Sequence, residues 1–297
     1  MNVYSQISSN KTKTWVLMVG FIAVFLLLSW LLGEATGYGS GFVMGAFVLA
    51  LVMNIGSYFY GDQIVLLMSQ AKAANRKDHF DFFTVAENLS VAAGISQPKL
   101  YVIEDTAMNA FATGRDPQHA VLVATTGILS RLDRRELEGV VAHELSHIKN
   151  FDIRLLLVVA VLVGTLAFLA DWFLRSLWWG GKRDRNNRGG SGITLLIGVF
   201  LAILTPILAQ IIQLAISRQR EYLADASGAY LTRYPEGLAK ALEKLGQDRE
   251  VLEAATNATA HLYITNPFKG KDFGAWFAGL FNTHPPIEER IKRLRNM

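Results

Sequence analysis

Four long stretches without one charged side chain limit what this chain can become: Trp15 to Leu32, Ala35 to Gly61, Leu155 to Ala170 and Gly189 to Ser217. A helix crossing a bilayer needs about 20 apolar residues, and in lipid every backbone polar group must find its partner within the protein. The runs therefore predict membrane helices, with a polar domain built from the segments between and after them. Composition agrees, since 51% of the 297 residues are apolar and the mean hydropathy is +0.26. No cysteine is present, which excludes a disulfide framework and a thiolate metal site. The net charge of +4 is modest, and the basic residues cluster beside the apolar runs. That is a pattern of membrane topology before nucleic acid.

The first run is longer than the roughly 7–15 residues of a signal-peptide core, and no A-x-A site follows it. It reads as a retained anchor. In the second run Gly37, Gly41 and Gly45 fall four apart, a small-residue stripe suited to close packing of the first two spans. Only Glu34 lies between these spans, whereas Lys72, Arg76 and Lys77 follow them. The positive-inside rule then places the N-terminus and everything after residue 62 in the cytoplasm. Runs three and four are less decided. Asp171 and Arg175 stand one turn apart after run three, Pro206 interrupts run four, and four basic residues fill the loop from Gly180 to Arg188. We take them as two spans; the alternative is a hairpin dipping into the membrane or packed on it. In either case the segments flanking the pair share one side.

The organisation expected is thus a membrane anchor at 1–62 with helices at 15–33 and 38–60, then a first part of a polar domain at 63–152. An apolar helical pair at 153–217 and a second part of the domain at 218–297 complete it. Within 78–152 the pattern is α/β: a helix over Phe82 to Ala93, strands over Lys99 to Ile103 and His119 to Ala124, and a small-residue stretch, Met108 to Gly114. The last reads as an exposed edge strand able to pair with an extended peptide, or as an ordinary hairpin strand. Pro235 to Gln247 reads as an amphipathic helix. Phe273, Trp276, Phe277, Leu280 and Phe281 form an aromatic stripe suited to packing, or to the membrane interface.

The chemistry centres on Val140-Val141-Ala142-His143-Glu144-Leu145-Ser146-His147. Asp133 with Glu136 makes a capping-box start, and Leu137, Val140, Val141, Leu145 and Ile148 recur at helical spacing. On such a helix His143 and His147 aim at one ion, and Glu144 is placed to take a proton from an attacking water. Two imidazoles still lack a third ligand. The metzincin extension is absent, because Asn150 and Ile153 stand where Gly and His are required. Glu221 and Asp225, one turn apart just past run four, offer a ligand and a carboxylate to accept the N–H of a ligating His. Taken alone they read as a solvated acidic face balanced by Arg218 and Arg220; the missing third ligand of the paired histidines reverses that reading.

His143-Glu144-x-x-His147, with Glu221-x-x-x-Asp225 at long range and apolar runs on both sides, resembles the HtpX heat-shock protease family, relatives of the CAAX prenyl endopeptidases and other integral-membrane gluzincins. The resemblance also covers Asn109-Ala110-Phe111 and the closing His284-Pro285-Pro286 with Arg290. It implies an α-helical membrane protein with a mainly α (α+β) gluzincin-type domain, the second apolar hairpin being inserted between the metal-ligand helices. It implies a multi-pass zinc endopeptidase of the bacterial inner membrane, its site facing the cytoplasm, acting in quality control. One Zn2+ would sit on His143, His147 and Glu221, with Glu144 catalytic. Asn109, Ala110 and Phe111 would line the substrate edge. His284 would hydrogen-bond the tetrahedral intermediate, and Arg290 would stand with the substrate. The partners expected are membrane-protein or unfolded polypeptide substrates and the lipid bilayer, with no nucleic acid. Two rival readings stand beside it: a prenyl-protein endopeptidase, and a non-enzymatic scaffold with a structural zinc.

Overall fold

The computed structural model describes residues 3–36, 39–164, 217–256, 258–267 and 285–297. Asp171, Arg175, the basic loop, Pro206, the aromatic stripe and His284 lie outside the described residues. Helices α1 (Val3–Thr36) and α2 (Gly39–Met68) come first. They pack on each other and on α6, helical from 152 to 164, through Met18, Phe21, Ala50, Val158 and Leu162. Their outer faces carry large apolar side chains, with Trp15, Val16, Val19, Val52 and Ile55 all exposed. Among the described residues one helical stretch, Ile7–Leu27, is long and apolar enough to cross a membrane. The glycine stripe plays no part in this packing at Gly45, where an added Cβ would meet nothing within 4 Å.

The polar domain is built on a four-stranded sheet of β1 (Lys72–Ala73), β2 (Lys99–Ile103), β3 (Ala110–Gly114) and β4 (Ala120–Thr125), in the order β1-β2-β4-β3. β2 and β4 are parallel; the outer pairings are antiparallel. Period-two alternation sends Leu100, Val102, Ala110, Ala112, Leu122 and Ala124 into one core and Ile103, Phe111, Val121 and Val123 into another. The first core is closed by α3 (Phe80–Ala93), α5 (Arg134–Lys149) and α8 (Pro235–Gln247). The second is closed by Val65 and Leu66 of α2, by Leu157 and Ala160 of α6, and by Leu252, Leu262 and Tyr263. Covered on both faces, β4 reads as an unbroken apolar strand. The sheet is thus the layer between the helix carrying the paired histidines and the bases of α2 and α6.

β3 is the edge strand, but it is not exposed: all five of its residues are buried. The tail supplies the cover. Ile264 N–H donates to the Ala110 carbonyl at 3.0 Å, and the Phe111 ring meets Tyr263 edge-on at 4.9 Å between centroids. After the short α4 (Thr126–Arg131), α5 opens on a full capping box: Glu136 N–H donates to Asp133 Oδ1 at 2.9 Å and Asp133 N–H to Glu136 Oε2 at 2.8 Å. α7 (Arg218–Thr232), α8 and α9 (Ile287–Arg295) complete the described chain.

Candidate metal centre

His143 and His147 project from one face of α5, and Glu221 from the first turn of α7. One ligand atom from each lies within 4.8 Å of the others. The two Nε2 atoms are 3.2 Å apart; Glu221 Oε2 is 3.7 Å from His143 Nε2 and Oε1 is 3.6 Å from His147 Nε2. Such an approach of α7 to α5 needs Gly228, where a Cβ would come 3.0 Å from the His143 backbone nitrogen. Three converging donors, two imidazoles and one carboxylate, fit a divalent ion with a coordination position left open.

Each imidazole is oriented from behind by a carboxylate. Asp225 Oδ1 stands 3.0 Å from His143 Nδ1, and Asp152 Oδ2 stands 2.9 Å from His147 Nδ1. Burial works against a charge on His147, but the Asp152 hydrogen bond, together with the charges of Glu221, Asp152 and Glu144, overrides it and raises the pKa to about 9 in the metal-free protein. Glu144 is also buried, and burial pushes its carboxyl above the usual range. The flanking histidines and a hydrogen bond from the Ala112 N–H of β3 oppose that rise.

Arg290, expected beside the substrate, is 0% exposed. It donates to Asp225 through Nε at 2.9 Å and Nη2 at 2.7 Å, with Nη1 3.7 Å from Glu221 Oε2. The Asn109 side chain is likewise engaged: its Nδ2 donates to the Thr265 carbonyl at 3.1 Å. Ala110 is held by Ile264, and the Phe111 ring turns to the sheet face away from α5. His284 is not among the described residues.

Asp152 escaped the sequence reading, as did Asn10 of α1; Arg220, read there only as a counter-charge to Glu221 and Asp225, instead packs around Asp152. The available signal was that Asp152 is the single acid between His147 and the third apolar run.

Residues 80–297 match the family model for peptidase family M48. The chain belongs to that family. Proteins similar to it over nearly their full length include the protease HtpX homologues of Dictyoglomus thermophilum (44% identical, 99% of this chain, 94% of the relative), Caldanaerobacter subterraneus (43%, 99%, 98%) and Tropheryma whipplei (42%, 99%, 98%). Among solved structures, the crystal structure of S. mikatae Ste24p superposes with a TM-score of 0.52 at 19% identity, covering 98% of this chain and 67% of that one. At that identity the likeness speaks for the fold. As an M48 member of the HtpX type the chain is a membrane-bound metalloprotease.

Proposed function

We propose that this protease uses one Zn2+ held by His143, His147 and Glu221, with Glu144 as the catalytic carboxylate. The observation that carries the reading is the convergence of those three ligand atoms beside a buried Glu144. When bound, the ion supplies Lewis-acid polarisation of the scissile carbonyl and lowers the pKa of water. Glu144 takes the proton from the attacking water and passes it to the leaving amine. In the metal-free protein burial holds its carboxyl above the usual range. Asp225 and Asp152 hold the rings of His143 and His147 in register, and Arg290 holds Asp225. β3 serves as the substrate-binding strand. Asn109, just before the strand, and Ala110 and Phe111 at its start are assigned to the substrate edge, and Ala112 is the residue of that strand bonded to Glu144. His284 is assigned to the reacting centre, as a hydrogen-bond partner of the tetrahedral intermediate.

We further propose two N-terminal membrane helices, with the apolar pair at 153–217 also crossing the bacterial inner membrane and the site on the cytoplasmic side. Domain limits at 62, 152 and 217 follow. The substrates would be misfolded or damaged membrane proteins and unfolded polypeptides. Support comes from the apolar outer faces of α1 and α2, and from the packing of α2 and α6 under the sheet that carries β3.

The test is zinc content and casein cleavage of detergent-purified protein, kept with chelator until assay. Wild type and Glu144→Gln should each bind one zinc per chain, with cleavage slowed about a hundredfold or more in the variant. His147→Ala and Glu221→Ala should lose metal and activity together. A Glu144→Gln protein with full chelator-sensitive proteolysis would overturn the assignment. For the substrate class, an unfolded reporter tethered to the bilayer should be cut faster than the same reporter free in solution; equal rates would count against it.

A further inference from the structure

Between α5 and α6 the backbone turns through Phe151 at φ 59°, a left-handed conformation that is unfavourable for a bulky residue. This turn sends Asp152 back towards the helix it follows, so that its carboxylate reaches His147 Nδ1. Along a continuous helix, residues five apart do not share a face. The pairing therefore depends on the turn, and the groups holding the turn come from α1.

Asn10 is 0% exposed. Its Nδ2–H group donates to the Asn150 carbonyl at 3.0 Å and to Asp152 Oδ1 at 2.6 Å. Its Oδ1 accepts from Arg220 Nη1 at 3.3 Å, and that Nη1 also stands 3.5 Å from Asp152 Oδ1. The neighbouring Lys11 places Nζ 4.3 Å from the centroid of the Phe151 ring. One turn on, the Thr14 hydroxyl donates to the Asn10 carbonyl at 2.8 Å. Two donors facing two acceptors and one acceptor facing a guanidinium suit a carboxamide. A carboxylate there would meet Asp152 with like charge, and an apolar residue would leave the Asn150 and Asp152 acceptors short of a donor. A fully buried amide is unfavourable unless it is satisfied, even in the polar first turns of α1. Membrane anchoring alone gives no reason for one.

We infer that Asn10 is a positioning residue of the metal centre. Through Asp152 it fixes the His147 ring, and so makes α1 a working part of the protease as well as its anchor. The inference rests on the metal site proposed above. It is tested on the full-length protein in detergent by zinc affinity, from competition with a chromophoric chelator, and by the visible spectrum after Co2+ substitution. The proteins are wild type, Asn10→Ala, Asp152→Ala, the double variant, and Phe21→Ala, which loosens α1 against α2 and α6 away from the turn. Asn10→Ser, too short to reach Asp152, replaces Asn10→Ala if that variant fails to accumulate.

Asn10→Ala should weaken zinc binding about tenfold, the lower end of the range for groups that orient ligands, and should alter the Co2+ spectrum. Phe21→Ala should change neither. On the Asp152→Ala background the Asn10 substitution should cause no further loss. Wild-type affinity and spectrum in Asn10→Ala would overturn the inference, as would equal losses in Asn10→Ala and Phe21→Ala, or additive losses in the double variant. Failure of the wild type to bind one metal ion would instead refute the site on which the inference stands.

Discussion

Arg290 and Asp225 form a two-pronged ion pair with both partners buried beside His143. Removing one partner of such a pair strands the other charge away from water, at a cost of about 3–5 kcal/mol. Arg290→Met should therefore lower the thermal midpoint markedly even in metal-free protein, a loss that a residue serving only substrate would not cause. His147 carries the pH dependence. In the metal-free protein its pKa is raised from 6.5 to about 9, so the protonated ring stabilises the fold fully below pH 6.5, and that contribution is lost as pH rises through 9. A metal ion requires the neutral ring and must displace that proton. Thermal melts should show the chelated protein weakening between pH 6.5 and 9 while the zinc-loaded protein does not, and zinc affinity should rise with pH over the same range.

At the scale of elements, α5 is the best specified helix among the described residues. Its capping box closes locally, and Lys244 of α8 adds a 2.6 Å contact to the same Glu136. Asp133→Ala should reduce stability by about 1 kcal/mol and leave zinc affinity unchanged, since His143 lies well inside the helix. Gly228 behaves oppositely. Gly228→Val would press α7 off the His143 backbone, drawing Glu221 away, and metal affinity should fall about tenfold or more, as when groups that orient ligands are disturbed. β3 shows where element-scale reading stops. Its place at the sheet edge agrees with the reading of residues 108–114. Its burial does not, because the residues that cover it, Tyr263 to Thr265, arrive from far along the chain.

For the whole molecule, the proposed topology can be read by labelling, since the chain has no cysteine of its own. A single cysteine at Glu34 should react with an impermeant maleimide in intact cells, and one at Lys77 only after permeabilisation. A cysteine at Gly181 should label from outside if the third and fourth apolar runs both cross. Protection there in intact cells would favour the hairpin reading. The sequence by itself determined the apolar runs, the capped α5 with its two histidines on one face, and the one-turn spacing of Glu221 and Asp225. Each is a local periodicity, set by how side chains leave the axis of their own element. Tertiary structure alone decided that Asp152 backs His147 across a left-handed turn, that Arg290 is sealed against Asp225, and that the tail lies along β3. It alone brought Asn10 of the first helix to Asp152. Those contacts join residues 142 positions apart for Asn10 and Asp152 and 65 for Arg290 and Asp225, and distances between separate elements follow from packing, which no periodicity encodes.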